Sequence, residues 1–149
     1  MRKLIVVRHG FYGLNGHLNE LGRSQISGLA QKLPAYLEGL GGLIICSPFP
    51  RTRESADILG TSMGFGIEES EVLFVDRDHK PNFPGVWKLI KRKEGVAEIL
   101  LLVAHLEHVE EFPNYFGIKE WSTPLGVQVS DYASAFIIDC LTKSLAPVL

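Results

Sequence analysis

The sequence predicts an α/β fold, a three-layer α/β/α sandwich around a mostly parallel central sheet. Three observations predict it. Four short runs are apolar on successive residues, and helical patterns alternate with them. The 149 residues, 46% of them hydrophobic, are also enough to bury one continuous core. Unbroken apolar runs suit strands covered by helices on both faces, whereas half-exposed strands alternate. Residues 1–149 are read as a single domain.

The elements follow in order. "LIVV" (4–7) is the first strand. Asn19 is a suitable N-cap for a helix over 19–37, with apolar residues at Leu21, Ile26, Leu29, Ala30 and Leu33 and a kink or end at Pro34. "GLIIC" (42–46) is the second strand, and "PRTRESADILGTSM" (50–63) a helix with Pro50 in its first turn. "GFGIEESEV" (64–72) reads only as a connection toward a third strand, "VLFV" (72–75). "GVWKLIKRK" (85–93) is a short helix whose Lys91-Arg92-Lys93 run forms a solvated end. "EILLLVA" (98–104) is the fourth strand, and "VQVSDYASAFIIDC" (127–140) supplies one or two more of unassigned place. Trp87 and Trp121 read as packing aromatics.

Charge narrows the function. With 15 Lys+Arg against 17 Asp+Glu, the formal charge of −2 gives no general attraction to nucleic acid or membrane. No run approaches the roughly 20 apolar residues of a membrane span, and "MRKLIVV" is too short for a signal peptide. A soluble, cytoplasmic protein is expected. Cys46 and Cys140 form no Cys-x-x-Cys pair and read as buried free thiols. No metal and no cofactor is expected.

Chemistry gathers at strand ends, where ligands of open parallel sheets bind. The first strand delivers Arg8-His9-Gly10, the second ends at Ser47 with Arg51 in the next helix turn, and the fourth delivers His105. If these strands are neighbours, two arginines and two histidines share one mouth. Arginine forks match phosphoryl oxygens, as does a helix N-terminus. An imidazole can attack phosphorus and hold the group as a phosphoramidate. Gly10, Gly13 and Gly16 would let backbone approach a small anion.

These blocks resemble the histidine phosphatase superfamily, which includes cofactor-dependent phosphoglycerate mutases and acid phosphatases. Arg8-His9-Gly10 matches its signature, "LNELGRSQ" (18–25) its next helix start, "SPFPRTRESA" (47–56) its second arginine block with Arg51, and "LLVAHL" (101–106) its second histidine, His105. The likeness covers residues 3–106; 107–149 align with nothing. The small bacterial phosphohistidine phosphatase branch is most similar. The resemblance implies a phosphoglycerate mutase-like fold and transient phosphorylation of His9. It also implies a clamp made by Arg8, Arg51 and His105, and phosphate contacts from Gly10 and Asn15. His105 would be most useful protonated. The expected activity is metal-independent phosphatase action on protein phosphohistidine, with a small phosphoester as the alternative substrate. A mutase and a non-catalytic phosphate-binding module are the alternatives.

Three positions depart from the family pattern. For the general acid, "LFVDRDHK" offers Asp76, with Asp78 or His79 as alternatives, where relatives have a glutamate. A labile P–N bond needs less acid assistance than an alkoxide ester, so a weak acid fits a phosphohistidine substrate. Phe11 and Glu107 are also unexpected, since a carboxylate facing the pocket would repel phosphate. His17, His79 and His108 read as surface or local hydrogen-bonding residues.

Overall fold

The computed structural model describes residues 1–149. Its strands are β1 (Lys3–Arg8), β2 (Gly42–Cys46), β3 (Gly66–Glu69), β4 (Ile99–Ala104), β5 (Ala135–Asp139) and β6 (Ser144–Pro147). They form one sheet in the order β3-β2-β4-β1-β5-β6. The pairings β2·β3, β2·β4 and β1·β4 are parallel, while β5 runs antiparallel to β1 and β6.

Alternate residues of each central strand enter opposite cores. Ile5, Val7, Ile44, Leu101 and Val103 pack on one face against Ile26, Leu29 and Leu33 and against Ala56 and Leu59. These come from α1 (Glu20–Lys32) and its continuation, and from α3 (Pro50–Met63). Leu4, Val6, Ile45, Leu100 and Leu102 face the other core, which holds Val86, Ile90, Phe112 and Phe116. Those belong to α4 (Phe83–Lys93) and α6 (Phe112–Trp121), with α5 (Leu106–Glu110) on the same side and α2 (Pro34–Leu37) beside the first core. Two apolar layers around a doubly covered sheet give the α/β/α sandwich that the unbroken runs predict.

Local chemistry fixes the helix starts. The Asn19 side chain accepts from the Gly22 amide at 2.8 Å, so Asn19 is the N-cap of α1. Pro34 stops α1 and starts the four-residue α2, since proline lacks the N–H an interior turn needs. Gly22 is required by packing: a Cβ there would strike the Phe11 carbonyl, and one at Gly10 would meet the Gly22 carbonyl at 2.6 Å. The two glycines thus let the loop after β1 lie directly on the start of α1.

The third strand differs from expectation. "VLFV" is not a strand; Glu71–Leu73 forms a single 3-10 turn whose Leu73 enters the core beside α4. The strand is Gly66–Glu69, within the segment read as a connection. As an exposed edge strand it needs backbone pairing with β2, not apolar side chains. The helices α5 and α6 were not anticipated, and of residues 127–140 only 135–139 are strand. Cys46 is buried as expected, but Cys140 is only half-buried, beyond the end of β5. No helix is long and apolar enough to cross a membrane.

Candidate active site

Because β4 lies between β1 and β2, the carboxyl ends of all three strands meet at one edge. The His9 amide donates to the Ala104 carbonyl at 3.3 Å and that of Ser47 to the Val103 carbonyl at 3.1 Å. The sheet ladder therefore carries His9, Ser47 and His105 side by side. The His9 and His105 ring centroids are 5.7 Å apart. Arg8, His9, Arg51 and His105 line one cavity of about 240 Å³, with Tyr12, Asp76, Glu107 and Tyr132 on its walls. A larger depression of about 590 Å³ beside Pro48, Phe74 and Lys80 contains none of the four.

The His9 ring is fixed in one orientation. Its Nδ1 donates to the Gly10 carbonyl at 2.8 Å, which leaves a lone pair on Nε2. Arg51 Nε reaches that lone pair at 3.3 Å. Burial, opposed by the Gly10 bond and aided by the charges of Arg51 and Arg8, holds the imidazole at about 4. His9 is thus neutral at neutral pH, as a nucleophile must be.

Aromatic rings hold the arginines. The Arg51 guanidinium lies between the Tyr12 and Phe49 rings, 4.4 Å from each centroid. Arg8 lies 4.3 Å over Tyr132, and its Nη1 donates to the Ser130 carbonyl at 2.9 Å. Stacked faces leave guanidinium edges free for an oxyanion. Arg8 Nε is buried and unpartnered, a donor available to an anion that enters. Arg53 is spent elsewhere, on Asp57 at 3.1 Å and Glu69 at 3.5 Å, which leaves Arg51 as the pocket arginine of its block.

His105 differs from the expected cation. Burial first, then His108, His9 and Arg51, push it down to about 3, so it is neutral before any anion binds. Its Nε2 is 2.9 Å from Ser47 Oγ. A bound dianion would raise its proton affinity.

Three expected contacts take other roles. The Gly10 amide donates to Ser55 Oγ at 3.1 Å and its carbonyl accepts from His9 Nδ1, so Gly10 orients the His9 ring and both of its backbone groups are engaged within the protein. Asn15 is exposed outside the cavity, and its side chain accepts from the His17 amide at 3.0 Å, which closes the turn that contains it. Asp76 does line the cavity, but its Oδ1 is 2.7 Å from His79 Nδ1, and that bond holds the carboxyl below its usual range. A carboxylate kept ionised is a poor proton donor.

Other residues escaped the sequence reading. His108, expected at the surface or in local hydrogen bonds, is fully buried 5.9 Å from the His105 ring, with neither ring nitrogen partnered; burial lowers it to about 4. It sits one turn after His105 on α5, a helix the sequence pattern did not reveal. Tyr132 comes from the segment before β5, where the Ala133 amide donates to the His9 carbonyl at 3.1 Å. A lone tyrosine among small polar residues gives no such signal. Glu107 lines the cavity beside His105. No three His, Cys, Asp or Glu side chains gather as a metal site.

No family model and no curated protein sequence matches the chain. Solved structures do. A mycobacterial glucosyl-3-phosphoglycerate phosphatase superposes with a TM-score of 0.68 at 17% identity, over 99% of this chain and 97% of its own. The protein histidine phosphatase SixA, solved with tungstate, gives 0.70 at 15% identity over 97% and 93%. An Agrobacterium tumefaciens chain assigned as phosphohistidine phosphatase SixA gives 0.64 at 14% identity over 99% and 95%. The chain has the phosphoglycerate mutase-like fold of the histidine phosphatases.

Proposed function

We propose that the protein is a metal-independent phosphatase working through a phosphohistidine intermediate on His9, with protein-borne phosphohistidine as substrate. One observation carries this reading: His9 presents a neutral, fixed Nε2 to a cavity lined by two ring-held arginines and a second histidine. Similarity to proteins described as phosphohistidine phosphatases supports the substrate.

The mechanism follows from the geometry. An incoming phosphoryl group draws Arg51 from Nε2 onto its oxygens, and Arg8 supplies a second fork. His9 Nε2 attacks phosphorus as the bond to the leaving nitrogen breaks, and the leaving imidazole takes a proton from solvent water. Charge on the equatorial oxygens meets Arg8, Arg51 and His105. Water then attacks phosphorus and frees His9 and inorganic phosphate. Asp76 is the rim carboxylate assigned to the leaving group. In its ionised state it orients that group more readily than it protonates it, a handicap that a labile P–N bond tolerates.

Similarity to a glucosyl-3-phosphoglycerate phosphatase favours a second reading, a small phosphoester substrate. Phosphate release from a phosphohistidine peptide, p-nitrophenyl phosphate and a sugar phosphoester separates the two. The peptide is expected to turn over with the highest kcat/KM, and His9→Ala to lose on the order of 10⁴-fold or more. Full activity in His9→Ala would refute the mechanism. Phosphate affinity with no turnover of any substrate would make the protein a binding module.

A further inference from the structure

The hydroxyl of Ser47 has a single hydrogen-bond partner. Ser47 is fully buried directly after β2, and both of its backbone groups are held. The amide donates to the Val103 carbonyl at 3.1 Å, and the carbonyl accepts from Thr52 Oγ1. Because β2 and β4 run parallel with Cys46 opposite Val103, the chain leaves the sheet with Ser47 beside His105. Ser47 Oγ lies 2.9 Å from His105 Nε2 and makes no other bond.

That isolation decides which way the bond runs. If Nε2 carried the proton and Ser47 accepted it, the serine hydroxyl proton would be enclosed in the protein with no acceptor. A buried donor left unpaired is costlier than an acceptor oxygen with a spare lone pair. Ser47 therefore donates, and Nε2 supplies the lone pair. A neutral imidazole has one N–H, which then sits on Nδ1. His105 Nδ1 makes no hydrogen bond within the protein, yet unlike both nitrogens of His108 it is not sealed from solvent. The opening that His105 lines is the catalytic cavity, where its ring stands edge-on to that of His9.

We propose that Ser47 is a positioning residue that fixes His105 in the Nδ1–H tautomer, so that the neutral ring donates a hydrogen bond to a phosphoryl oxygen in the cavity. The proposal rests on the phosphatase reading above. It accounts for a second histidine that burial keeps uncharged: the ring still serves an anion when the nitrogen it offers bears the proton. The other tautomer would meet the phosphoryl oxygens with a lone pair and repel them. Both active-site rings then carry their proton on Nδ1 but use it differently. His9 spends it on the Gly10 carbonyl and keeps Nε2 bare for attack, whereas His105 spends its lone pair on Ser47 and keeps the proton for the ligand.

The test joins ¹⁵N NMR of histidine-labelled, ligand-free protein at pH 7.5 to calorimetric titration with inorganic phosphate. Loss of signals in His105→Asn assigns the ring. In the wild type, Nδ1 is expected at a protonated, pyrrole-type shift and Nε2 at a bare, pyridine-type shift. Ser47→Ala is expected to populate the Nε2–H tautomer and to weaken phosphate binding at least about tenfold, the scale of one hydrogen bond to a charged group. Ser47→Thr, which keeps the hydroxyl, is expected to retain both properties. A wild-type ring with its proton on Nε2, or on both nitrogens, would overturn the proposal whatever the variants do. So would Ser47→Ala with unchanged shifts or with the phosphate affinity of the wild type. Tautomer and binding are read without turnover, so the two claims fail separately. Turnover of a phosphohistidine peptide with the proton on Nε2 refutes the tautomer alone. The Nδ1–H tautomer and Ser47-dependent phosphate binding, without turnover, refute the phosphatase alone.

Discussion

The floor and the rim of the catalytic cavity are built differently. The floor is anchored to the sheet: Arg8 and His9 end β1, His105 follows β4, and Arg51 opens α3 directly after β2. Each floor side chain has a holding partner, from the Gly10 carbonyl on His9 to the rings on both arginines. Asp76, on the rim, lies on an exposed loop, and its carboxylate is held only within that loop, by the His79 ring and the Asp78 and His79 amides. The difference teaches that, on the proposed mechanism, the groups for attack and charge stabilisation are rigidly held, whereas the group assigned to the leaving nitrogen is not. A substrate with an easily broken bond matches that division.

Floor variants should therefore cost most. Arg51→Lys keeps the charge but loses the fork and the two-ring stack, so kcat/KM for a phosphohistidine peptide is expected to fall about 100-fold. A fall under threefold would show that the rings do not organise the site. Tyr132→Leu removes only the ring beneath Arg8. A loss of roughly 0.5–2 kcal/mol of cation–π interaction predicts about a two- to thirtyfold lower rate, with unchanged secondary structure by circular dichroism.

The buried imidazoles sharpen the comparison through pH. His9, His105 and His108 are held at about 4, 3 and 4, below the ordinary 6.5 that they regain on unfolding. Between those values the unfolded chain binds more protons than the folded one. Stability is therefore full above pH 6.5 and is lost as pH falls through about 4. The slope reaches about 1.4 kcal/mol per pH unit for each histidine. Thermal unfolding from pH 7.5 to 4.5 checks this, and His108→Phe, which removes one such group together with its influence on His105, should flatten the slope. The acid limb of kcat/KM should lie near 4, where His9 protonates.

The rim should matter least. Asp76→Asn is expected to change phosphohistidine turnover less than about threefold, and an alkyl phosphoester more, since an alkoxide leaves harder. Equal large losses with both substrates would make Asp76 a required acid.

The floor was legible in the sequence because strand ends, arginines and histidines recur there in fixed blocks. The three central strands were equally plain, since burial on both faces forces unbroken apolar runs. Pairing partners leave no such mark. The edge strand Gly66–Glu69 is held by backbone bonds to β2, and the apolar "VLFV" that imitated it contributes Leu73 to a core from a turn. Likewise Tyr132 acts through a long-range approach to β1, and His108 faces inward on a short helix, positions that only the folded chain defines. Gly10 was found for its motif, but its tie to Gly22 required the packing.

The central claim is that His9 carries the phosphoryl group. Brief exposure to a phosphohistidine peptide, an alkaline quench and mass spectrometry of the digested protein should find acid-labile phosphate on the peptide containing His9. Phosphate release with no phosphoryl group on His9, or with one on His105 instead, would contradict the account.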